Sequence, residues 1–341
     1  MIIKNTEEIK KYLKRIKHNL DQNYQNDFLD GYVDIKDEEK AKKELLDAGQ
    51  QEFENKNVSL FIDANEWNNN PYVKNINFDC LKDSHFSYEK VLIEKGYLFN
   101  VDAIMDDKDK ELKDWLKLRA LSKDIEALFL YQDNKEWMMA VPSESSTNDP
   151  YALKAKGNVV TFGLGIGYFT YMALLNKNVK SITVIEKSKE VIRLFNTIKD
   201  QFINNEKIKI VNGDAFDYFN KDYLDNFDYI YVDIWRSSDD GRAIIEKLLE
   251  QYNPPLNTCD FWIEKSCLNV IRTLIYLYYD ETINQKTNKT TKEYVSLMNK
   301  VRIYFDSLNI EANDVDTLKN LMYNPQTIRN ILATKLNNLH R

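Results

Sequence analysis

The stretch Val159-Val160-Thr161-Phe162-Gly163-Leu164-Gly165-Ile166-Gly167-Tyr168-Phe169-Thr170-Tyr171-Met172-Ala173-Leu174-Leu175 decides the fold. The 341-residue chain has nine glycines, and three of them fall within five positions here. An apolar run, alternating glycines and an apolar helical pattern read as a strand that turns sharply into a helix. Glycines permit the turn and let main-chain N–H groups approach a ligand at the helix N-terminus. Proteins with α/β sheets hold nucleotides and nucleotide-like molecules in this way.

Downstream the pattern alternates regularly. It predicts strands at 158–162, 180–186, 207–212, 227–234 and 259–265, separated by helices at 167–176, 189–204, 215–221 and 240–251 and followed by one at 266–280. Val191, Ile192, Phe195, Ile198 and Phe202 form the apolar stripe of the second helix, and Ser188 is its expected N-cap. Strands separated by helices imply a doubly wound, mostly parallel sheet of Rossmann-like type. The tail from 288 reads as further helices, interrupted near Asn313 and Pro325.

Upstream, 6–22 and 37–54 read as helices, the first carrying Ile9, Leu13, Ile16 and Leu20 on one face. The interval Asn55–Asn77 has six asparagines between Asn65 and Asn77 and reads as loop; its stretch Asn65–Tyr72 is read as a surface connection, with a lid over the site as the sharper alternative. A strand is expected at 91–105 and a lysine-rich helix at 108–122, with Leu112, Trp115, Leu116 and Leu118 as its apolar positions. Ile125–Tyr131 and Glu136–Val141 read as a β-hairpin. The polar run from Pro142 to Pro150 is the clearest expected boundary. The expected organisation is thus an N-terminal, mainly helical or α+β region (1–124), a hairpin and linker (125–156), a Rossmann-like domain (157–287) and a C-terminal helical extension (288–341).

Composition narrows the function classes. With 43% apolar residues and 12% aromatics the chain is expected to fold. A formal charge of -7 provides no general basic field, so nucleic acid is not an expected partner. The N-terminus lacks the pattern of a secretory signal, and no run approaches the ~18 apolar residues of a membrane span; the expectation is a cytoplasmic protein with no membrane contact. Cys80, Cys259 and Cys267 show no metal-ligand spacing, so no metal site is expected and the thiols are read as free. His18, His85 and His340 are scattered, and none is placed to serve as a catalytic base.

In a doubly wound sheet, ligands bind beyond the carboxyl ends of the strands. Those ends carry the glycines, then Glu186, then Asp214 with Ala215, then Asp233 followed by Trp235. An acid at Glu186 can accept hydrogen bonds from both hydroxyls of a ribose. The glycine register excludes a dinucleotide fingerprint: counted from Gly163 the third glycine would be Tyr168, and counted from Gly165 it would be Thr170.

The spacing Gly163-x-Gly165-x-Gly167 followed by an aromatic, with Glu186, Asp214-Ala215 and Asp233, resembles class I S-adenosylmethionine-dependent methyltransferases over roughly 157–265. That resemblance implies a transferase in which Gly163, Gly165 and Gly167 line the methionine and ribose portions of the cofactor, Glu186 holds the ribose and Asp214 contacts the adenine amino group. Most such enzymes carry an acid where this chain has Thr161. Spermidine synthases and their relatives lack it, place a hairpin before the sheet and carry a motif similar to Gly213-Asp214-Ala215. Their Tyr-His-Glu cluster after the hairpin is missing; the chain has Ser143-Glu144-Ser145 there.

Asp233 is read as orienting an acceptor, acting as general base, anchoring the positive end of the cofactor, or serving a structural role. Tyr168 and Trp235 are expected to wall a substrate site. Three functions follow as expectations: methyl transfer to a small-molecule acceptor; aminopropyl transfer from decarboxylated S-adenosylmethionine; or a non-catalytic cofactor-binding or scaffold protein. A homodimer stays open.

Overall fold

The computed structural model describes residues 1–21, 31–47, 50–81, 83–101, 111–112 and 117–336. Along the chain, β1 (Ile2–Ile3), α1 (Glu7–Asp21) and α2 (Glu38–Asp47) are followed by β2 (Phe61–Ile62), α3 (Ala64–Asn68) and α4 (Pro71–Asn75). Next come β3 (Phe86–Ile93), β4 (Phe99–Asn100), β5 (Leu118–Leu121), β6 (Ile125–Gln132), β7 (Lys135–Ala140) and α5 (Pro142–Lys154). The alternating region comprises β8 (Gly157–Phe162), α6 (Tyr168–Leu175), β9 (Val179–Glu186), α7 (Lys189–Ile198), β10 (Ile208–Asn212), α8 (Ala215–Tyr218), α9 (Lys221–Leu224), β11 (Tyr229–Val232), α10 (Ser238–Gln251) and β12 (Cys259–Phe261). The chain continues through α11 (Glu264–Cys267), α12 (Asn269–Asn284), α13 (Val295–Ser307), β13 (Glu311–Ala312), α14 (Val315–Tyr323) and α15 (Pro325–Ala333).

The five strands β8 to β12 form one parallel sheet in the order β10-β9-β8-β11-β12. The chain therefore winds outward from β8 and returns to β11 on its other side, leaving a crevice between β8 and β11. The fold is α/β, as expected. Period-two alternation assigns the faces. Val160, Phe162, Ile230, Val232, Cys259 and Phe261 face a core shared with α10 and the C-terminal helices. Val159, Ile182, Val184, Tyr229 and Tyr231 face a second core with α6, α7 and the N-terminal α3 and α4. The expected hairpin is β6–β7, and its two-residue turn puts Asp133 (φ 51°) and Asn134 (φ 62°) in the left-handed region. Asp and Asn tolerate that region, and positive φ at both central residues matches the strand twist.

Four expectations are corrected. The supposed boundary Pro142–Pro150 is helical, α5, because Pro142 occupies the first helical position, where a missing N–H costs nothing. The lysine-rich helix expected at 108–122 ends as strand β5, which pairs with β2 and β4; Trp115 and Leu116 lie outside the described residues. The strand expected at 91–105 is β3, which begins earlier at Phe86, and then β4. The asparagine-rich connection holds α3 and α4, with Trp67 and Tyr72 buried in the second core. A feature with no sequence expectation is the parallel pairing of β1 with β13, which ties the chain's start to its C-terminal helices. Among the described residues, no helix is long and apolar enough to cross a membrane.

Candidate functional site

A cavity of about 660 Å³ opens at the carboxyl rim of the sheet, within the size range of small-molecule sites. Gly163, Gly165, Glu186, Asp214, Ala215, Asp233, Tyr168 and Trp235 all line it. Gly167 does not.

The three glycines have different reasons. Gly163 (φ 93°) lies where β8 leaves the sheet, and a methyl group added there would sit 1.9 Å from the Asp233 carbonyl oxygen. The turn is sewn to its neighbours: Gly163 N–H donates to Ile185 O (2.9 Å) and Asp233 N–H to Phe162 O (2.9 Å). At Gly165 (φ 51°) the close neighbour among the described residues is the flexible end of Met138, which reaches over from β7. Gly167 (φ 78°) caps α6 and packs against the rings of Phe195 and Phe202, so its role is to seat the helix on α7 and the segment after it.

Glu186 ends β9. Its Oε2 accepts the Leu164 N–H of the glycine turn (3.0 Å) and its Oε1 the Ser188 N–H (2.7 Å). Burial holds its carboxyl above the usual range despite these bonds. Asp214 caps α8 by accepting the Phe216 N–H (3.1 Å), while its other oxygen pairs with Lys187 at 2.7 Å. The hydrogen bond and charge of Lys187 keep Asp214 below its usual range, so an ionised acceptor stands beside Glu186. Register places Asn212 opposite Glu186, and Gly213 N–H donates to Glu186 O (3.0 Å), which fixes the spacing of the two acids.

At the other end stand Asp233, just beyond β11, and Glu144, in the first turn of α5. Among the described residues neither carboxyl group has a hydrogen-bond or cationic partner. Burial pushes Glu144 up to about 7. Burial and then the charge of Glu144 raise Asp233 well above the carboxylate range. Glu144, at about 7, carries a proton part of the time at neutral pH, and its charge adds to the burial that raises Asp233. Asn148, one turn along α5, donates to Glu144 O (3.0 Å) and accepts the Tyr231 hydroxyl (2.8 Å). Trp262 closes the side through Nε1–H to Thr147 Oγ1 (3.0 Å).

The two expected aromatic walls differ. Tyr168 donates to Asp149 Oδ1 (2.8 Å) and accepts from Asn70 Nδ2 (2.7 Å), so its hydroxyl is already engaged by protein. Trp235 is 6% exposed and packs on Gly241, with no hydrogen-bond partner for its N–H among the described residues. His18 and His85 lie outside the lining, and His340 lies outside the described residues. Glu144, Asn148, Met138 and Trp262 carried no sequence expectation. Glu144 was legible only to a reading that took Pro142 as the first residue of a helix, which puts Glu144 in the first turn.

No family model and no curated protein matches the chain. Among solved structures it is similar to the O-methyltransferase from Bacillus cereus in complex with SAH, at 16% identity over 49% of this chain and 69% of that one, with a TM-score of 0.27. It is similar also to human methyltransferase-like protein 13 in complex with SAH, at 13% identity over 43% and 90% of the two chains, with a TM-score of 0.26. A candidate SAM-dependent methyltransferase from Streptococcus mutans shares 17% identity over 38% of this chain, with a TM-score of 0.27, and the alignment spans only 36% of that protein. Likenesses this distant say nothing of the reaction, which has to be read from the cavity itself.

Proposed function

We propose that the chain binds S-adenosylmethionine and transfers its methyl group to a small-molecule nucleophile that loses a proton to the Glu144–Asp233 pair. The carrying observation is the cavity itself. It has the glycine turn at one wall and two acids at adjacent strand ends on the nucleoside side. Two carboxyl groups without a partner among the described residues stand on the other side. The residues fit the cofactor: Gly163 and Gly165 bring main chain to the cavity wall, Glu186 faces the turn as a ribose acceptor, and Asp214 is an ionised acceptor for an adenine amino group. Bound there, the cofactor supplies a methyl group on a positively charged sulfur that departs as a neutral thioether, so no acid has to assist the leaving group.

What the protein must add is alignment and a proton acceptor. Rigid strand ends align. The carboxyl pair, with Glu144 at about 7, takes the proton, and its position favours an acceptor that arrives protonated, such as an amine. The same pair supports a second reading, aminopropyl transfer from decarboxylated S-adenosylmethionine, along with Thr161 and the β6–β7 hairpin as spermidine-synthase-like features. In this chain α5 stands between that hairpin and the sheet.

Offering the protein each sulfonium donor with a panel of primary and secondary amines, and detecting the thioether product by mass spectrometry, separates the two. S-adenosylhomocysteine supports methyl transfer, and methylthioadenosine supports aminopropyl transfer. Absence of both products across the panel counts against catalysis on amines. A binding prediction does not need the acceptor. A sulfonium next to Glu144 and Asp233 favours their ionised forms, so affinity for S-adenosylmethionine rises roughly three- to tenfold between pH 6 and 8. Affinity for the uncharged thioether S-adenosylhomocysteine stays nearly flat. Parallel pH profiles for the two ligands would place the sulfur away from the carboxyl pair.

A further inference from the structure

We propose that Tyr72 and Asn70, which lie outside the cavity, are positioning residues that hold the glycine turn in its ligand-accepting form. The inference rests on the reading of this cavity as a cofactor site. A five-residue turn with three positive-φ glycines is conformationally free, and ordering it on binding would cost affinity. The protein orders it beforehand. From the sheet side the stitches are Gly163 N–H to Ile185 O and Leu164 N–H to Glu186, while Gly167 N–H to Leu164 O closes the turn on itself.

From the opposite side the stitches come from α4. The Tyr72 hydroxyl donates to the carbonyl of Ile166, between the last two glycines, at 2.7 Å, and Tyr72 is 1% exposed. Its ring stands edge-on to Tyr168 (centroids 5.1 Å apart) and Tyr171 (5.5 Å). Asn70 Nδ2 donates to the Tyr168 hydroxyl at 2.7 Å, and that hydroxyl donates onward to Asp149 of α5. Asn70 is itself fixed, because its Oδ1 caps α4 through Tyr72 N–H (2.9 Å), with Pro71 in the first helical position. The wedge is therefore rigid. Ile166 and Tyr168 line the cavity, whereas Tyr72 and Asn70 do not, so any effect on a ligand passes through the turn.

Tyr72→Phe removes one hydroxyl and keeps the ring. Asn70→Asp keeps the capping oxygen and removes the N–H to Tyr168. Asn75→Ala is the control: Asn75 Nδ2 donates to the Tyr171 hydroxyl (2.9 Å), on the same helix but away from the turn. Calorimetric titration of S-adenosylhomocysteine, with a melting curve for each variant, is expected to show affinity lowered roughly three- to tenfold in Tyr72→Phe and Asn70→Asp, mainly through a less favourable binding entropy. Asn75→Ala is expected to lower the melting temperature and leave affinity unchanged. If the unaltered protein does not bind, the cofactor reading fails and takes this inference with it. If it binds and Tyr72→Phe binds equally well, or all three variants lose affinity in step with their melting temperatures, the inference alone is overturned.

Discussion

Glu144→Gln raises the stability of the protein above pH 7 and flattens its decline between pH 5 and 8. Glu144 moves from an ordinary 4.5 when unfolded to about 7 when folded. Between those values the native state binds the extra proton, so stability falls as pH rises through the folded value and the loss is complete above it. The shift corresponds to about 2–3 kcal/mol after discounting for partial exposure. Gln keeps the size of the protonated acid and carries no charge, so the loss disappears. For a chain this long the gain is roughly 3–4 °C in melting temperature at pH 8, and little at pH 5. Asp233 works in the same direction. Asp214 and Asp240, held below their usual range, add stability that is lost only as pH falls into the acid range, so the two windows do not overlap. Melting curves at half-unit pH intervals check this, and identical profiles for the two proteins would mean that Glu144 is solvated.

Gly163→Ala abolishes ligand binding and destabilises the α/β core by about 3 kcal/mol or more. The added methyl meets a backbone carbonyl, that of Asp233, at 1.9 Å, and neither β8 nor β11 can retreat without breaking the Asp233 N–H to Phe162 O bond. Its φ of 93° is also closed to an L side chain at any distance. Gly165→Ala is the informative contrast. The obstacle there is the end of Met138, which can move, so stability suffers mostly from the positive φ. Chemical denaturation of both variants beside ligand titration gives the order. Equal stability losses would contradict the assignment of Gly163 to the strand junction.

The sheet and its rim were legible because their signals are local. Strand ends at Phe162, Glu186 and Asn212 follow from apolar runs, and a parallel sheet brings successive ends to one edge without further information. Glu144 was not legible because its importance is tertiary: α5 is polar throughout its first turns, and only its packing against β11 puts one acid beside Asp233. Asn70 and Tyr72 were hidden for a related reason. Five-residue helices leave no periodicity to read, and asparagines that suggest a loop are here caps and hydrogen-bond donors to tyrosines. At the end of the interval 108–122 a helix-prone composition gave way, over Leu118–Leu121, to the pairing of β5 between β2 and β4.

The account stands on the cavity holding a sulfonium nucleoside. Isothermal titration of S-adenosylmethionine into the protein and into Glu186→Ala tests it most directly. The expected result is saturable binding of one ligand per chain, weakened about tenfold or more when the ribose acceptor and its bond to Leu164 N–H are removed. Absence of heat at any ligand concentration, with no shift in melting temperature, or equal affinity in the two proteins, would contradict it.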